Sequence, residues 1–425
     1  MARVSHKKHI SAPTFPFFYF LSCLLLYVLA LPLLFASSLR PKHKYSLPAR
    51  FFPPQCLKGL DCEPHLWFHA CSFGEIRSLE PIIKALDSIN HTESTESKRT
   101  ILITTITHTG FEEAKKLYQS PDSKIRVCVR YLPFEIFLPL WIKSCRHLQA
   151  LIVTEAEMWK MLFYVGKVCK ARTFLINARI SNRSLKSYQR FKGLYASIFA
   201  LIDEVLAQSQ MDKERLEDLG AKHISVFGNL KTLNTPVLSA HYTKPKRIVF
   251  TAASTHRGEE KLILQAFQSL YERYQNTESK PLLLLAPRHP ERFQEVYEVA
   301  QSFYPRTTLF SQTNLEPAHE VILIDALGEL NNLYAISDVV ILGGSFVQNV
   351  GGHNPLEPAF FHTKLISGEH IFNQYALFEA VTNYVLIPPQ SLKDTLLRWE
   401  QLPQSACNQA SSDKLSTLIH KITHT

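Results

Sequence analysis

Acid is missing where this chain is most basic. The first fifty residues contain seven Lys/Arg, the stretch 158–202 contains nine, and neither holds a single Asp or Glu. The eight cysteines form no CxxC pair and no zinc-type spacing, which argues against a cysteine-ligated structural zinc module. Scattered singly over 425 residues, they suggest a reducing compartment and buried thiols. No Asp-x-Asp occurs anywhere. Enzymes that clamp a sugar-nucleotide diphosphate through a divalent metal often carry that motif. Its absence points to a leaving group that needs no metal, such as a nucleoside monophosphate. There is no repeat at the residue level and no low-complexity tract.

What is present is unevenly placed. Net charge is +10, yet the last 175 residues lean acidic. The basic excess therefore sits in the N-terminal half, where an anionic surface or substrate would be met. A solvated basic face is the plain alternative, and the density of charge without acids weighs against it. Residues 15–36 read FPFFYFLSCLLLYVLALPLLFA, with no charge from 10 to 39. That length spans a bilayer as a helix and exceeds the apolar core of a cleaved signal. Pro16 and Pro32 stand towards its ends, where they harm a helix least. Flanking basic residues give a weak vote for a cytoplasmic C-terminal part.

After this segment, short apolar runs alternate with helix-like stretches. Strand candidates are 66–72, 101–107, 125–132, 151–157, 173–179 and 205–209, then 247–254, 282–288, 321–325, 339–344, 364–367 and 384–388. Runs apolar throughout and spaced this way indicate parallel sheets covered on both faces. A Pro-, Thr- and Lys-rich join lies at 231–246. The expected organisation is an anchor (1–45) and two Rossmann-like α/β domains (46–235 and 236–425) facing a central cleft.

Ligands of open parallel sheets bind beyond the carboxyl ends of the strands. Here those ends carry SFGE (72–75), EAEMW (155–159), NARISNRS (177–184), TAASTHRGEE (251–260), PRHPERF (287–293), ALGEL (326–330) and GGSFVQNVGGHNPLEP (343–358). Each has a bland explanation. Ser72 and Ser254 suit helix N-caps, Arg288 a surface ion pair, and His353 a turn. Seven such clusters at seven strand ends outweigh turns alone. The second half offers a nucleotide-phosphate site, with glycines, helix N-termini and Arg288. The first half offers carboxylates, of which Glu75 is placed to remove a proton from an acceptor hydroxyl.

In this order the motifs resemble the 3-deoxy-D-manno-octulosonic acid (Kdo) transferases of lipopolysaccharide synthesis. The resemblance covers about 60–390 and includes HACSFGE (69–75), TEAEMW (154–159), NARISNRS (177–184), AQSQMDKERLEDLGA (207–221), FGNLK (227–231), STHRGEE (254–260), PRHPERF (287–293) and GGHNPLEPA (351–359). It implies a GT-B glycosyltransferase, anchored in the inner membrane and facing the cytoplasm, that moves Kdo from CMP-Kdo to a lipid A precursor with inversion. It makes Glu75 the proton acceptor and Glu157 and Lys231 transition-state stabilisers. It places CMP on Ser254, Pro287, Arg288, Gly328, Glu329, Leu330, Asn354, Pro355, Leu356 and Glu357. It implies no metal or other cofactor and no nucleic-acid partner. Where the family has Glu-Thr-Glu, this chain has Ala156 between Glu155 and Glu157, which leaves open which carboxylate faces the cleft. Two other readings stand beside it: a GT-B enzyme using a UDP-sugar on another membrane lipid, and a membrane-tethered lipid-binding protein without catalysis.

Overall fold

The computed structural model describes residues 13–89, 99–121, 123–274, 277, 280–313, 315, 319–407 and 412–423. The chain divides into two compact units, one formed by Met1–Asn234 with Ala410–Thr425, the other by Thr235–Gln409.

Unit 1 is a seven-stranded parallel sheet. Its strands are β1 (Leu66–His69), β2 (Thr100–Thr105), β3 (Arg126–Tyr131), β4 (Ala150–Thr154), β5 (Arg172–Ala178), β6 (Glu204–Ala207) and β7 (Ile224–Val226), in the order β3-β2-β1-β4-β5-β6-β7. β1, β2 and β4 are buried at every position, which is why they read as unbroken apolar runs. The strand order reverses between β1 and β4, so a crevice opens beyond their carboxyl ends.

Unit 2 repeats the plan with β8 (Val249–Thr255), β9 (Leu282–Pro287), β10 (Thr307–Leu309), β11 (Val321–Leu323), β12 (Val339–Leu342), β13 (Lys364–Gly368) and β15 (Val385–Ile387), ordered β10-β11-β9-β8-β12-β13-β15. A short antiparallel pair, β14 (Val381–Thr382) with β16 (Ala406–Cys407), lies apart from it. The order reverses between β8 and β12. The expected doubly wound α/β architecture is therefore present in each unit.

Three expectations need correction. The edge strands β7 (Ile-Ser-Val) and β10 (Thr-Thr-Leu) were not expected: each mixes polar with apolar residues and is mostly half-buried or exposed, so no apolar run marks it. The last residues do not belong with 236–409. The helix Ser412–Thr423 carries Leu415, Leu418, Ile419 and Ile422 on one stripe and buries it in the unit 1 core with Ile82, Ile83 and Leu86. The Arg172 guanidinium also donates to the Lys421 carbonyl at 3.1 Å. Finally, the apolar helix runs Phe17–Ser38, so Pro32 lies inside it.

That helix is long and apolar enough to cross a membrane. Tyr19, Cys23 and Tyr27 recur every four residues and form its inward stripe. The Tyr19 hydroxyl donates to Glu135 Oε1 at 2.5 Å, and the Tyr27 hydroxyl donates to the Phe51 carbonyl at 2.6 Å. Phe18, Leu25, Leu29 and Leu33 on the other side are exposed.

Candidate active site

The crevice of unit 1 is built on the turn after β1. Ser72 caps the helix Phe73–Ser78, its hydroxyl oxygen accepting the Glu75 N–H at 3.3 Å. The N-cap reading of Ser72 is thus correct, and the cap does a second task. The same hydroxyl donates to Glu75 Oε1 at 2.7 Å, the Cys71 N–H donates to Oε2 at 2.9 Å, and the Thr154 hydroxyl from β4 donates to Oε2 at 2.8 Å. Three donors from two adjacent strand ends fix one carboxylate at the point where the strand order reverses.

Glu155 and Glu157 follow β4 and flank this group differently. Glu155 sits at φ +54, a left-handed conformation uncommon for a side-chain-bearing residue. Its carboxyl is pushed up to about 7, by burial first and by Glu75 next, against the pull of Arg179 and Lys231. Glu157 accepts the Trp159 indole N–H at 2.7 Å, and burial raises its pKa while Cys71, Trp159 and Arg50 hold it down. Lys231, exposed in the short helix Leu230–Leu233, lends its charge to Glu155. The structure therefore gathers Glu75, Glu155 and Glu157 and sets Lys231 against Glu155.

Sequence reasoning gave no role to Arg50 or Arg179. Arg179 follows β5, the strand beside β4, and acts on Glu155, while Arg50 acts on Glu157 from before β1, anchored by its Nε donating to the Leu132 carbonyl at 2.9 Å. It also gave none to His69, buried under the site with Nδ1 3.1 Å from the Thr104 carbonyl. His69, Cys71 and Glu157 bring ligand-type atoms within 4.8 Å of one another, the one such group found among the described residues. In the structure the three are satisfied by protein: His69 Nε2 lies 3.5 Å from Cys71 Sγ, and Glu157 takes the Trp159 indole.

The basic tract 158–202 is not one free face. Lys167 pairs with Asp203, Arg172 with Glu204 at 3.4 Å, and Lys192 with Asp218 at 2.6 Å. Arg183, Lys186 and Arg190, on the helix Asn182–Arg190, are exposed and make no ion pair among the described residues.

In unit 2, the residues expected to hold a nucleotide follow the adjacent strands β11, β9, β8 and β12. Pro287 ends β9, and the Arg288 N–H donates to the Thr255 carbonyl at 3.0 Å. The Arg288 side chain is exposed and has no ion pair among the described residues, unlike the surface-pair alternative. Ser254 is buried at φ +54 and is not an N-cap. The helix that follows, Glu259–Arg273, is entered through Gly258, and Glu259 ties it down. Gly328 is at φ +86, and Leu330 opens the helix Leu330–Tyr334. The Glu329 carboxylate accepts Tyr242 Oη–H and Asn332 Nδ2–H, both at 2.7 Å, so its side chain braces the fold. Asn354 stands just before a helix without opening it. Pro355 is the cap residue of the five-residue helix Leu356–Phe360, and Asn354 Oδ1 accepts the Leu356 N–H at 3.1 Å. Asn354 Nδ2 donates to Glu357 Oε1 at 3.0 Å, joining the two candidate ligands.

Comparison with known proteins places the chain in a family. Residues 45–234 match the family model described as 3-deoxy-D-manno-octulosonic-acid transferase (kdotransferase). A bifunctional glycosyltransferase/methyltransferase of Fusobacterium nucleatum is 32% identical over 75% of this chain, and the chain spans about half (49%) of that protein. A 3-deoxy-D-manno-octulosonic acid transferase of Haemophilus influenzae is 33% identical, over 74% of this chain and 72% of that one. Among solved structures, a UDP-N-acetylglucosamine 2-epimerase of Listeria monocytogenes is 14% identical, covers 85% of this chain and 97% of that chain, and has a TM-score of 0.52, a likeness of fold. The chain belongs to the 3-deoxy-D-manno-octulosonic acid transferase family.

Proposed function

We propose that this chain is an inverting glycosyltransferase that moves Kdo from CMP-Kdo to a lipid A precursor in lipopolysaccharide synthesis. The observation that carries the reading is the Glu75 carboxylate, held by three donors at the switch point of unit 1 in a chain of this family. A carboxylate whose lone pairs are organised but not ion-paired is suited to take the proton of an acceptor hydroxyl. Arg179, Arg50 and Lys231 offset the charge that three neighbouring glutamates would otherwise concentrate. Lys231 and Glu157 are proposed as stabilisers of the transition state.

For the donor, the exposed Arg288 guanidinium and the Asn354–Glu357 pair offer an anion partner and ribose-type acceptors. CMP is proposed to lie on Ser254, Pro287, Arg288, the turn at Gly328, Glu329 and Leu330, and Asn354, Pro355, Leu356 and Glu357. For the acceptor, Arg183, Lys186 and Arg190 are free cations for lipid phosphates. The helix Phe17–Ser38 is proposed to hold the enzyme at the inner membrane, catalytic units in the cytoplasm. The reaction so drawn assigns no step to a metal or cofactor.

The test is purified full chain in detergent with CMP-Kdo and a tetraacylated lipid A precursor. CMP release with a Kdo-extended lipid in the mass spectrum is expected. No CMP release and no extended lipid overturns the reading, and turnover with a UDP-sugar instead of CMP-Kdo replaces the donor.

A further inference from the structure

Two histidines outside the proposed CMP contacts meet at the switch point of unit 2. His256 follows β8 and His353 lies in the loop after β12. Their Nε2 atoms are 2.9 Å apart, with the ring planes 16° apart and the centroids 5.1 Å apart. His289, after β9, meets His256 edge-on at 5.2 Å. The pair is held from both sides. The His256 backbone N–H donates to Glu259 Oε2 at 2.8 Å. Gly344, at φ +69, leaves room for the His353 ring, since a Cβ there would stand 2.8 Å from His353 Cδ2.

The ionisable groups facing the pair are mostly basic. His353 faces His256, Arg288 and His289, while His256 faces His289, Arg292, Arg288 and one acid, Glu260. Glu260 is already engaged by the Arg292 guanidinium at 2.8 Å and the Thr255 hydroxyl at 3.0 Å. Burial first, then the neighbouring basic groups, push His353 down to about 4 and lower His256 as well. The pair alone is therefore neutral at pH 7, one Nε2–H donating to the other ring's lone pair. A second proton would set two N–H groups head to head at 2.9 Å, which only an acceptor placed between them relieves. A phosphate oxygen is such an acceptor.

We propose that His256 and His353 form a proton-loaded phosphate clamp: an entering phosphate draws one proton into the pair and takes an N–H from each ring. The proposal rests on the donor reading above for its place in the reaction. As the bond between the sugar carbon and the phosphate oxygen breaks, the electron pair stays on that oxygen. The clamp's extra proton moves there, CMP leaves as a monoanion and the pair returns to neutral. The acceptor's proton stays with Glu75. His256 and His353 thus become leaving-group residues of unit 2.

The test is calorimetric titration of the full chain in detergent with CMP at pH 7.5, in two buffers of different ionisation enthalpy. Uptake of about one proton per CMP is expected, and none for cytidine, which lacks the phosphate. H256Q and H353Q should each abolish the uptake and lower turnover about 10²-fold, while cytidine binds as before. CMP binding to the native chain without proton uptake overturns the clamp. So does a double variant that keeps both uptake and turnover. Proton uptake with UDP and no binding of CMP would leave the clamp standing and remove the donor reading instead.

Discussion

The Thr154 hydroxyl at the end of β4 donates to Glu75 Oε2 at 2.8 Å, tying the proposed base to the neighbouring strand. The bond leaves Glu75 oriented by groups that themselves carry no charge. E75Q should lower turnover by about 10²- to 10⁴-fold with unfolding unchanged, read from CMP release and thermal melts. T154V should cost less, about 10-fold, because the Cys71 N–H and the Ser72 hydroxyl still hold the carboxylate. Full turnover in E75Q removes the base assignment.

Glu155 gives the protein a pH-dependent stability of definite sign. Its folded-state value near 7 lies above the ordinary 4.5. The native state therefore binds more protons than the unfolded chain between those values. The stabilising contribution is complete below about 4.5 and lost as pH rises through about 7. E155Q should flatten that slope and raise stability at pH 8 by up to about 3 kcal/mol. Denaturant titrations at pH 5, 6, 7 and 8 on both proteins check it, and parallel slopes would refute the assignment.

Arg288 is exposed and has no ion pair among the described residues, so its removal has little to cost the fold. R288A should leave unfolding within about 0.5 kcal/mol of the native chain. It should weaken CMP binding about 10- to 100-fold, the value of a charge-assisted hydrogen bond. Calorimetric titration with CMP reads the change, and unaltered affinity would place the phosphate elsewhere.

The central strands were legible because β1, β4, β8 and β9 are buried along their whole length, and burial on both faces writes itself as an unbroken apolar run. The C-terminal helix was assigned with the second domain, and its address is set by the match of Leu418 and Ile422 to the face of Glu80–Ile89. Glu75, Glu155 and Glu157 could be picked out because polar residues at the end of an apolar strand are conspicuous. Arg179 stood in the strand-end cluster 177–184 without a role of its own, and Arg50, before β1, could not be picked out because it meets the carboxylates only through tertiary packing. Gly351 and Gly352 were read as room for a ligand, and Gly343 and Gly344 as the turn off the strand. Gly351 and Gly352 are instead packed against Ile371, Phe372 and Asn373, and it is His353 that uses the space at Gly344.

The apolar helix is expected to stabilise unit 1 as well as attach it to a membrane. Glu135 is 3% exposed, with one oxygen taking the Tyr19 hydroxyl and the other the Met161 N–H at 2.7 Å. Y19F leaves a buried carboxylate oxygen without its donor and should cost about 1–3 kcal/mol. Deleting residues 1–38 should move the chain out of the membrane fraction and also lower its melting temperature, because Phe137 and Cys56 lose their cover. A truncated chain as stable as the full one would show that the stripe of Tyr19, Cys23 and Tyr27 contributes nothing.

Glu259 should be the most sensitive single position in unit 2. It is fully buried, and its two oxygens accept four backbone N–H groups: His256 at 2.8 Å, Gly344 at 2.7 Å, Ser345 at 3.1 Å and Phe346 at 2.9 Å. One side chain thus fastens the loop after β12 to the turn after β8, and with it the separation of His256 and His353. E259A orphans four buried donors and should destabilise the protein by about 3–5 kcal/mol. E259Q keeps the shape but turns one acceptor into a donor facing an N–H, so an intermediate loss is expected. In E259Q the proton uptake on CMP binding should fall along with stability, because the imidazoles are no longer held in register. If uptake survives while stability drops, the loop is fixed by the strands alone, and Glu259 supports the fold without positioning the histidines.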